Sequence, residues 1–221
     1  MNLTRPQADI FNSTSPINLF MSGQGSGKTH TAGMVAARNV SNFTRDGDGN
    51  PLLGFIAANT HDQLTDSTLR RIFEVWKLLG IEPYDQGTKT GSYVVDVKPP
   101  AHFNTTGHNF RTYHGKICFS WGSVIYLGSL ENYKAHDGKE FAWAILDETK
   151  DTREEAVKEV ILGRLRQKGM FVSDGQLTTN SAGTPINPLY IFTTPAKVPW
   201  LNDWFGLESY EQEIQRTYNP P

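Results

Sequence analysis

The sequence predicts an α/β fold with a mostly parallel central sheet, helices on its faces and a β-hairpin extension. Three observations predict this fold. Apolar strand-like runs alternate with amphipathic helical patterns, one run near the middle of the chain is uninterrupted, and a Gly-Ser turn joins two other runs. Alternating strands and helices are typical of parallel sheets. An uninterrupted apolar run is typical of a strand that is buried on both faces.

The predicted elements follow one another without an internal repeat. In chain order they are a strand at Ile17–Met21, a helix at about 28–40, a strand at Leu53–Ala58, a helix at about 62–79, a candidate strand at 93–97, a hairpin of 117–121 and 124–127, a strand at 141–146, a helix at about 152–169 and a strand at 189–194. The helices are predicted from apolar residues at three- and four-residue spacing. Thr152 and Glu155 have the spacing of a capping box at the start of the last helix.

Composition excludes several classes of protein. The 221 residues are 38% hydrophobic and 20% charged, which is typical of a globular chain. No run of about 18 apolar residues is present, so the sequence predicts no membrane-spanning helix. The single cysteine, Cys118, excludes an internal disulfide. Because the net charge is only −2, binding to a polyanion would require a local basic cluster or several copies around the ligand.

The strongest chemical signal is a glycine-rich loop at 22–29 that reads SGQGSGKT, between a predicted strand and a predicted helix. This is the context of a Walker A loop, in which backbone N–H groups surround phosphate oxygens. The loop residues are Ser22, Gly23, Gln24, Gly25, Ser26 and Gly27, followed by Lys28 and Thr29. Lys28 is expected to reach the β- and γ-phosphates, and Thr29 to bind Mg²⁺. Ser22 replaces the first glycine of the strict pattern, and we expect a modest backbone adjustment there.

Two adjacent acids follow the uninterrupted apolar strand. Asp147 is expected to hold Mg²⁺ or its water shell, and Glu148 to polarise the attacking water. The pair therefore predicts ATP hydrolysis with Mg²⁺ as cofactor. A structural alternative is that both acids only cap the next helix. By fold analogy, an acid pair of this type indicates the ASCE class of P-loop NTPases, in which another strand lies between the Walker A and Walker B strands.

With these motifs in order, the chain resembles the ATPase domain of the large terminase subunit of tailed bacteriophages, the motor that packages DNA. The segments that carry the resemblance are LTRPQADIF, SGQGSGKT, GFIAANTHDQLTDSTLRRIF, ICFSWGSVIYLGS, AWAILDE and IFTTP. The resemblance implies that Gln7 reads adenine and that Arg5 contacts the nucleotide. It also implies that Thr193, Thr194 and Pro195 form the coupling motif, which senses the γ-phosphate. The alternative for this last motif is a strand end stopped by proline.

The chain departs from the family pattern in its arginines. Many members carry an arginine inside the Walker A loop, where this chain has Gln24. Others have an arginine finger shortly before Walker B that acts on the neighbouring subunit. The sequence offers several basic candidates for that finger, which are Lys134, Lys139, Arg153, Arg164 and Arg166. Lysine is a poorer finger than arginine, because it lacks the planar fork that matches phosphate oxygens.

Two basic groups are candidates for contact with the DNA backbone. One is Arg164, Arg166 and Lys168, and the other is Arg70 with Arg71. Repeated around a ring, such groups would meet duplex phosphates without reading sequence. Exposed helix faces that contact only solvent are the alternative for each group.

The resemblance also implies partners and organisation. It implies double-stranded DNA, the portal protein and the small terminase subunit as partners, assembly into a homo-oligomeric ring, and action in the host cytoplasm. We expect a P-loop ATPase core at 1–200 and a segment at 201–221 that leads toward a nuclease domain absent from this chain. Two other functions stay open: a helicase-like or repair DNA-dependent ATPase, and a non-enzymatic assembly module gated by nucleotide.

Overall fold

The computed structural model of the protein describes residues 3–42, 49–167, 179, 186–195 and 198–208. These residues form a seven-stranded sheet with helices on both faces. The strands are β1 (Ile17–Met21), β2 (Leu53–Ala58), β3 (Tyr93–Val95), β4 (Lys116–Phe119), β5 (Val124–Ser129), β6 (Trp143–Asp147) and β7 (Leu189–Thr193). The α-helices are α1 (Arg5–Asn12), α2 (Lys28–Asn42), α3 (His61–Gln63), α4 (Arg70–Leu78) and α5 (Pro199–Phe205). The predicted α/β class is therefore confirmed.

The strand order is β1-β7-β6-β2-β5-β4-β3. Four neighbouring pairs, from β1/β7 to β2/β5, are parallel, and β5/β4 and β4/β3 are antiparallel. Strand β7 lies between β1, which leads into the glycine-rich loop, and β6, which ends at Asp147. This is the interposed strand that the adjacent acids Asp147 and Glu148 predicted, and it confirms the ASCE order.

The predicted hairpin is also present. Strands β4 and β5 pair antiparallel, and the turn between them is closed by the Phe119 N–H, which donates to the Ser123 carbonyl at 3.0 Å. Gly122 takes a positive φ of 105° in this turn, which a residue with a side chain would adopt only with strain. The hairpin adds two antiparallel strands to one end of a parallel sheet.

The core has one apolar cluster on each face of the sheet. Helices α2 and α4 cover one cluster, and residues 156–162 with α5 cover the other. Alternate residues of β2 enter opposite clusters: Ile56 lies in the first and Phe55 in the second. Both are fully buried. Strands that fill both layers carry apolar residues at every position, which explains the uninterrupted runs in the sequence.

The helix predicted at 62–79 is helical throughout but contains a π-wound turn. Helix α3 continues through the π turn at Leu64–Leu69 into α4. Thr60 caps the start of this segment, because its hydroxyl accepts the Gln63 N–H at 3.1 Å. A π turn accommodates one extra residue and often marks a functional site. Side-chain periodicity does not distinguish this turn from a regular helix.

The predicted capping box at Thr152 is wrong. A short 3₁₀ turn at Thr149–Asp151 follows β6, and the helical residues after it begin at 154. The Thr152 hydroxyl donates to Asn59 Oδ1 at 3.4 Å, and its carbonyl accepts the Trp200 indole N–H at 3.0 Å. Contacts with Asn59, the residue after β2, and with α5 therefore replace the local cap at this residue.

The C-terminal part begins within helix α5. Leu201 is fully buried in the second apolar cluster, and residues 209–221 lie outside the described part of the chain. The division at residue 200 stays a prediction. Among the described residues, no helix is long and apolar enough to cross a bilayer.

Close contact between β2 and β6 predicts a stability effect at Gly54. A Cβ built on Gly54 would lie 2.2 Å from a ring carbon of Trp143, which is itself almost fully buried. Overpacking of this kind costs about 1–3 kcal/mol, so we expect Gly54→Ala to lower the free energy of unfolding by that amount. Urea denaturation followed by circular dichroism measures it.

Gly163→Ala is the matched control for this prediction. Gly163 lies in a helical stretch, and a Cβ there would have no neighbour within 4 Å. Alanine stabilises a helix interior relative to glycine by about 0.5–1 kcal/mol. Equal effects of the two substitutions would contradict the packing assigned to Gly54.

Candidate active site

The loop between β1 and α2 curls around an open centre. Gly25 and Gly27 have positive φ values of 74° and 84°. The backbone angle at Gly27 favours glycine, and a Cβ there would also lie 2.6 Å from Gln7 Nε2 and displace that side chain. Helix α2 begins directly after the loop, where the Thr31 N–H donates to the Gly27 carbonyl at 2.8 Å. A helix N-terminus next to exposed loop amides is suited to bind an anion such as phosphate.

Ser22 fits the loop through a hydrogen bond that glycine could not make. The Ser22 and Ser26 hydroxyl oxygens lie 2.6 Å apart, and the Ser26 hydroxyl donates to the Gly23 carbonyl at 2.7 Å. These bonds connect the first and last turns of the loop. Gln24 is exposed at the loop surface.

The Lys28 side chain folds back and binds the first residues of the loop. Its side chain is only 7% exposed, and Nζ donates to the carbonyls of Ser22 at 2.9 Å and Gly23 at 3.0 Å. Nζ also lies 4.0 Å from Glu148 Oε1. The ammonium therefore sits between the loop and an acid that follows β6, at the position where a bound phosphate would gain most from a positive charge.

Asp147, the last residue of β6, is 2% exposed. Its Oδ2 accepts hydrogen bonds from the Thr68 hydroxyl at 2.8 Å and the Thr29 hydroxyl at 3.2 Å. Burial raises the pKa of Asp147, and nearby Glu148 raises it further, whereas the Thr68 hydrogen bond acts in the opposite direction.

The other oxygen of Asp147 makes the site suitable for Mg²⁺. Among the described residues, no donor reaches the buried Oδ1. A buried carboxylate oxygen without a donor is costly unless a cation or water binds it. Oxygen ligands, here the Asp147 carboxylate and the Thr29 hydroxyl, are those that Mg²⁺ prefers. The residues present therefore fit the metal that the sequence predicts.

Thr68 was not singled out from the sequence. It lies in the π turn and is fully buried, on the same face of the helical segment as Leu64 and Ile72. One signal could have identified it: a lone hydroxyl at four-residue spacing among large apolar residues. Such a group requires a partner, because an unpaired buried hydroxyl is costly.

Glu148 adopts a left-handed backbone conformation, with φ 52° and ψ 52°. Its N–H donates to the Phe192 carbonyl on β7 at 2.8 Å. Its carboxylate accepts the Thr194 hydroxyl, which lies 3.0 Å from Oε1 and 3.1 Å from Oε2. Non-glycine residues in this conformation are uncommon and occur often at functional sites. The backbone turn directs the side chain back toward the loop and Lys28.

The predicted coupling segment touches both sides of the site. The Thr193 carbonyl accepts the Ser22 N–H at 3.2 Å, and the Thr194 hydroxyl reaches Glu148. Thr193 is buried, whereas Pro195 is exposed. Because β7 runs between β1 and β6, the end of this strand must lie between the glycine-rich loop and the acids.

Gln7 packs against the loop from the N-terminal helix α1. Its Nε2 donates to the Ser26 carbonyl at 3.4 Å, and its Oε1 accepts the Thr4 N–H at 2.9 Å, which closes a capping box. Arg5 is exposed at the start of α1. The structure therefore places Gln7 beside the loop, and the adenine-reading role stays a prediction.

The candidate finger residues differ in their contacts. Lys134 and Arg153 are exposed, and Arg153 lines a cavity of about 360 Å³ together with Glu131 and Asp151. Lys139 Nζ donates to the Ala135 carbonyl at 3.2 Å.

Most of the basic residues proposed for DNA contact are paired with acids. Arg164 binds Asp137 at 2.8 Å, Arg166 lies 3.1 Å from Glu140, and Arg70 and Arg71 lie 3.8 Å and 2.6 Å from Glu74. Lys168 lies outside the described residues. Ion pairing reduces the charge that these groups offer to a phosphate backbone.

Comparison with known proteins yields matches among solved structures. No family model and no curated protein sequence matches this chain. The large terminase ATPase domain of Thermus phage P74-26 matches with a TM-score of 0.54 and 16% identity, over 92% of this chain and 69% of that one. This chain has the fold of a phage large-terminase ATPase domain.

Structures of two further large terminases share the fold. The large terminase of bacteriophage HK97 matches with a TM-score of 0.54 and 14% identity, over 96% of this chain and 38% of that one. The large terminase of a thermophilic bacteriophage in complex with ATP-gamma-S matches with a TM-score of 0.56 and 14% identity. That match covers 96% of this chain and 43% of the thermophilic phage protein. A complex of the same phage protein with ADP also matches.

The Thr68 contact predicts an effect on metal dependence. Thr68→Val removes the hydroxyl that holds Asp147 Oδ2 and keeps the shape of the side chain. Loss of a partner that orients a metal ligand typically costs 10–100-fold in metal affinity. We expect the Mg²⁺ concentration for half-maximal binding of a fluorescent ATP analogue to rise at least about tenfold.

Thr68→Ser is the matched control, because it keeps the hydroxyl. It is expected to restore the Mg²⁺ dependence of the unmodified protein. A Thr68→Val protein with unchanged Mg²⁺ dependence would show that Thr68 does not position the ligand.

Proposed function

We propose that this chain is an ATPase that hydrolyses ATP with Mg²⁺. The observation that carries the proposal is the convergence of Lys28, Asp147 and Glu148 at one edge of the sheet, within hydrogen-bond or ion-pair distance of the glycine-rich loop or its following helix. A solitary P-loop would support nucleotide binding alone. The second acid, aimed at Lys28, supports hydrolysis.

Each residue has a distinct role in this proposal. The loop amides and Lys28 bind the triphosphate oxygens, and Lys28 stabilises the charge that develops on them. Asp147 and the Thr29 hydroxyl would hold Mg²⁺, which would supply positive charge to neutralise the phosphate oxygens. Glu148 orients a water molecule and accepts its proton as the water attacks the γ-phosphorus. ADP leaves with the electron pair of the broken P–O bond.

We propose that Thr193, Thr194 and Pro195 couple hydrolysis to movement, and the contacts of the two threonines support this role. When Glu148 engages the attacking water, its hydrogen bonds with Thr194 compete with that water for the same carboxylate oxygens. The Thr193 carbonyl at the same time holds the start of the loop. We infer that loss of the γ-phosphate changes these contacts and shifts the end of β7.

We further propose that hydrolysis drives double-stranded DNA into a procapsid. The support is the shared fold with the ATPase domains of several phage large terminases, including one bound to ATP-gamma-S. In this proposal the chain acts in a homo-oligomeric ring in the host cytoplasm, with the portal protein and the small terminase subunit as partners. A basic residue of the neighbouring subunit completes each site, and residues 201–221 lead toward a nuclease domain.

Two substitutions test the ATPase proposal. Lys28→Ala is expected to abolish ATP turnover, because it removes the positive charge at the phosphates. Glu148→Gln is expected to leave ATP binding intact and to lower turnover by about 10²–10⁴, which is the usual contribution of a general base. Phosphate release measures turnover, and binding of a fluorescent ATP analogue measures affinity. Normal turnover by the Glu148→Gln protein would exclude the assigned base.

A packaging assay tests the motor proposal. The full-length protein is mixed with portal-containing procapsids, the small subunit, ATP and duplex DNA, and DNA that resists added nuclease is measured. We expect the unmodified protein with ATP to protect DNA from the nuclease, and the Glu148→Gln protein to give no protected DNA. Strand separation without protection would favour a helicase-like ATPase. Protection independent of hydrolysis would favour a nucleotide-gated assembly module.

A further inference from the structure

A basic cavity lies at the hairpin end of the sheet, away from the ATP site. Its volume is about 470 Å³. Five basic side chains and a tyrosine are among the residues that line it, namely His61, Arg111, His114, Lys116, Tyr126 and Lys139. Lys139 is one of the finger candidates, and the other five residues have no role in the proposed hydrolysis.

Lys116 is the most unusual residue of this cavity, because it is only 7% exposed. Its Nζ donates to the carbonyls of Thr112 at 2.7 Å and His114 at 3.3 Å. It also lies 5.3 Å from the ring centre of Phe110 and 4.8 Å from that of Tyr126. Lysine is rarely this buried without a carboxylate partner. Burial lowers the pKa of Lys116, and the charge of nearby Asp96 offsets only part of this effect.

Lys139 approaches the same tyrosine. Its Nζ lies 5.1 Å from the Tyr126 ring centre and 3.1 Å from Nδ1 of His136. Burial lowers the pKa of Lys139, and repulsion by Lys116 lowers it further. The fold thus holds two ammonium groups against one aromatic ring, close enough to repel each other.

No acid in the described part of the chain neutralises this pair. There, no carboxylate oxygen lies within 4.0 Å of either ammonium. Asp96 is the nearby acid, and its Oδ1 accepts the Gly115 N–H at 2.6 Å and lies 3.6 Å from His114 Nδ1. Burial raises the pKa of Cys118 to about 12 and that of Tyr126 to about 12, so both stay neutral. In the described part of the chain, the two ammonium groups therefore have carbonyl, imidazole and aromatic partners but no carboxylate that pairs with them directly.

We propose that this cavity, formed around Lys116, Lys139 and Arg111, binds a backbone phosphate of double-stranded DNA. A phosphate oxygen would accept the remaining N–H groups of the two ammonium ions and remove their repulsion. Exposed Arg111 at the rim would meet the adjacent phosphate. The inference rests on the proposed motor function and names the surface through which that motor holds its DNA. As the site of DNA contact, this cavity takes the place of the two basic groups around Arg164 and Arg70, because the charges of those arginines are already paired with acids.

The position of the cavity supports a link to ATP hydrolysis. The cavity lies near the carboxyl end of β5, and the glycine-rich loop follows the carboxyl end of β1, so both are at the same end of the parallel strands. Strands β1 and β5 are four strand spacings apart in the sheet, which is about 19 Å. One continuous helical segment borders both sites. His61 at its start lines the cavity, and Thr68 seven residues later binds Asp147.

The salt dependence of DNA binding tests this proposal. Affinity for a short fluorescent duplex is measured by anisotropy between about 50 and 200 mM salt without nucleotide, and log K is plotted against log [salt]. Each phosphate contact contributes about 0.9 to the slope. We expect Lys116→Met, which keeps the apolar stem, and Arg111→Gln, which changes an exposed residue, each to reduce the slope by about that amount. Thermal unfolding shows whether Lys116→Met is folded, and Arg111→Gln alone decides the test if it is not.

Arg71→Gln is the matched control, because it removes one exposed charge that Glu74 already pairs. It is expected to leave the slope unchanged. Unchanged slopes for Lys116→Met and Arg111→Gln would overturn the proposal. A second result would also overturn it: inorganic phosphate raises the thermal unfolding temperature of the unmodified protein but not of the variants, while the variants bind duplex DNA normally. The site would then bind free phosphate and not DNA. ATP turnover of the unmodified protein, measured without DNA, tests the ATPase proposal separately.

Discussion

The buried carboxylate of Asp147, one oxygen of which has no donor among the described residues, connects the main parts of this molecule. Its other oxygen is held by hydroxyls from two different helical segments, at Thr29 and Thr68. A charged carboxylate at this depth requires compensation, which the two hydroxyls supply at one oxygen and which the proposed Mg²⁺ would supply at the other. The glycine-rich loop, strand β6 and the π-wound helical segment must therefore meet at one point. The parallel sheet supplies that point, because the carboxyl ends of its parallel strands lie at the same end of the sheet.

Strand β7 connects the two halves of the candidate active site. It separates the loop strand from the acid strand and hydrogen-bonds to both neighbours. Its last residues bind Ser22 on one side and Glu148 on the other. In the proposed ATPase, loss of the γ-phosphate would therefore act on the end of a buried strand, and a closely packed core would transmit that strain to the neighbouring elements. In sheets where the loop and acid strands are direct neighbours, this intermediate element is absent.

Local motifs revealed much of the fold and the centre of the site. The strands, the hairpin, the glycine-rich loop and the adjacent acids follow from apolar patterning and from short motifs, because nearby residues determine them. Thr68 and the π turn could not be predicted, since a helix with one extra residue keeps nearly the same apolar face. Thr152 was misassigned because distant partners, Asn59 and Trp200, outcompete a local cap. The pairing of Arg164 and Arg166 with acids likewise depends on tertiary contacts.

The left-handed backbone at Glu148 has a consequence for protein engineering. A residue with a Cβ is disfavoured in this conformation by roughly 1–2 kcal/mol, whereas glycine adopts it freely. A library screened only for heat resistance would therefore enrich glycine at this position and discard the acid. If Glu148 is the base proposed above, selection for thermal stability and selection for ATP turnover favour different residues at this position, and position 148 should be held fixed when this domain is thermostabilised.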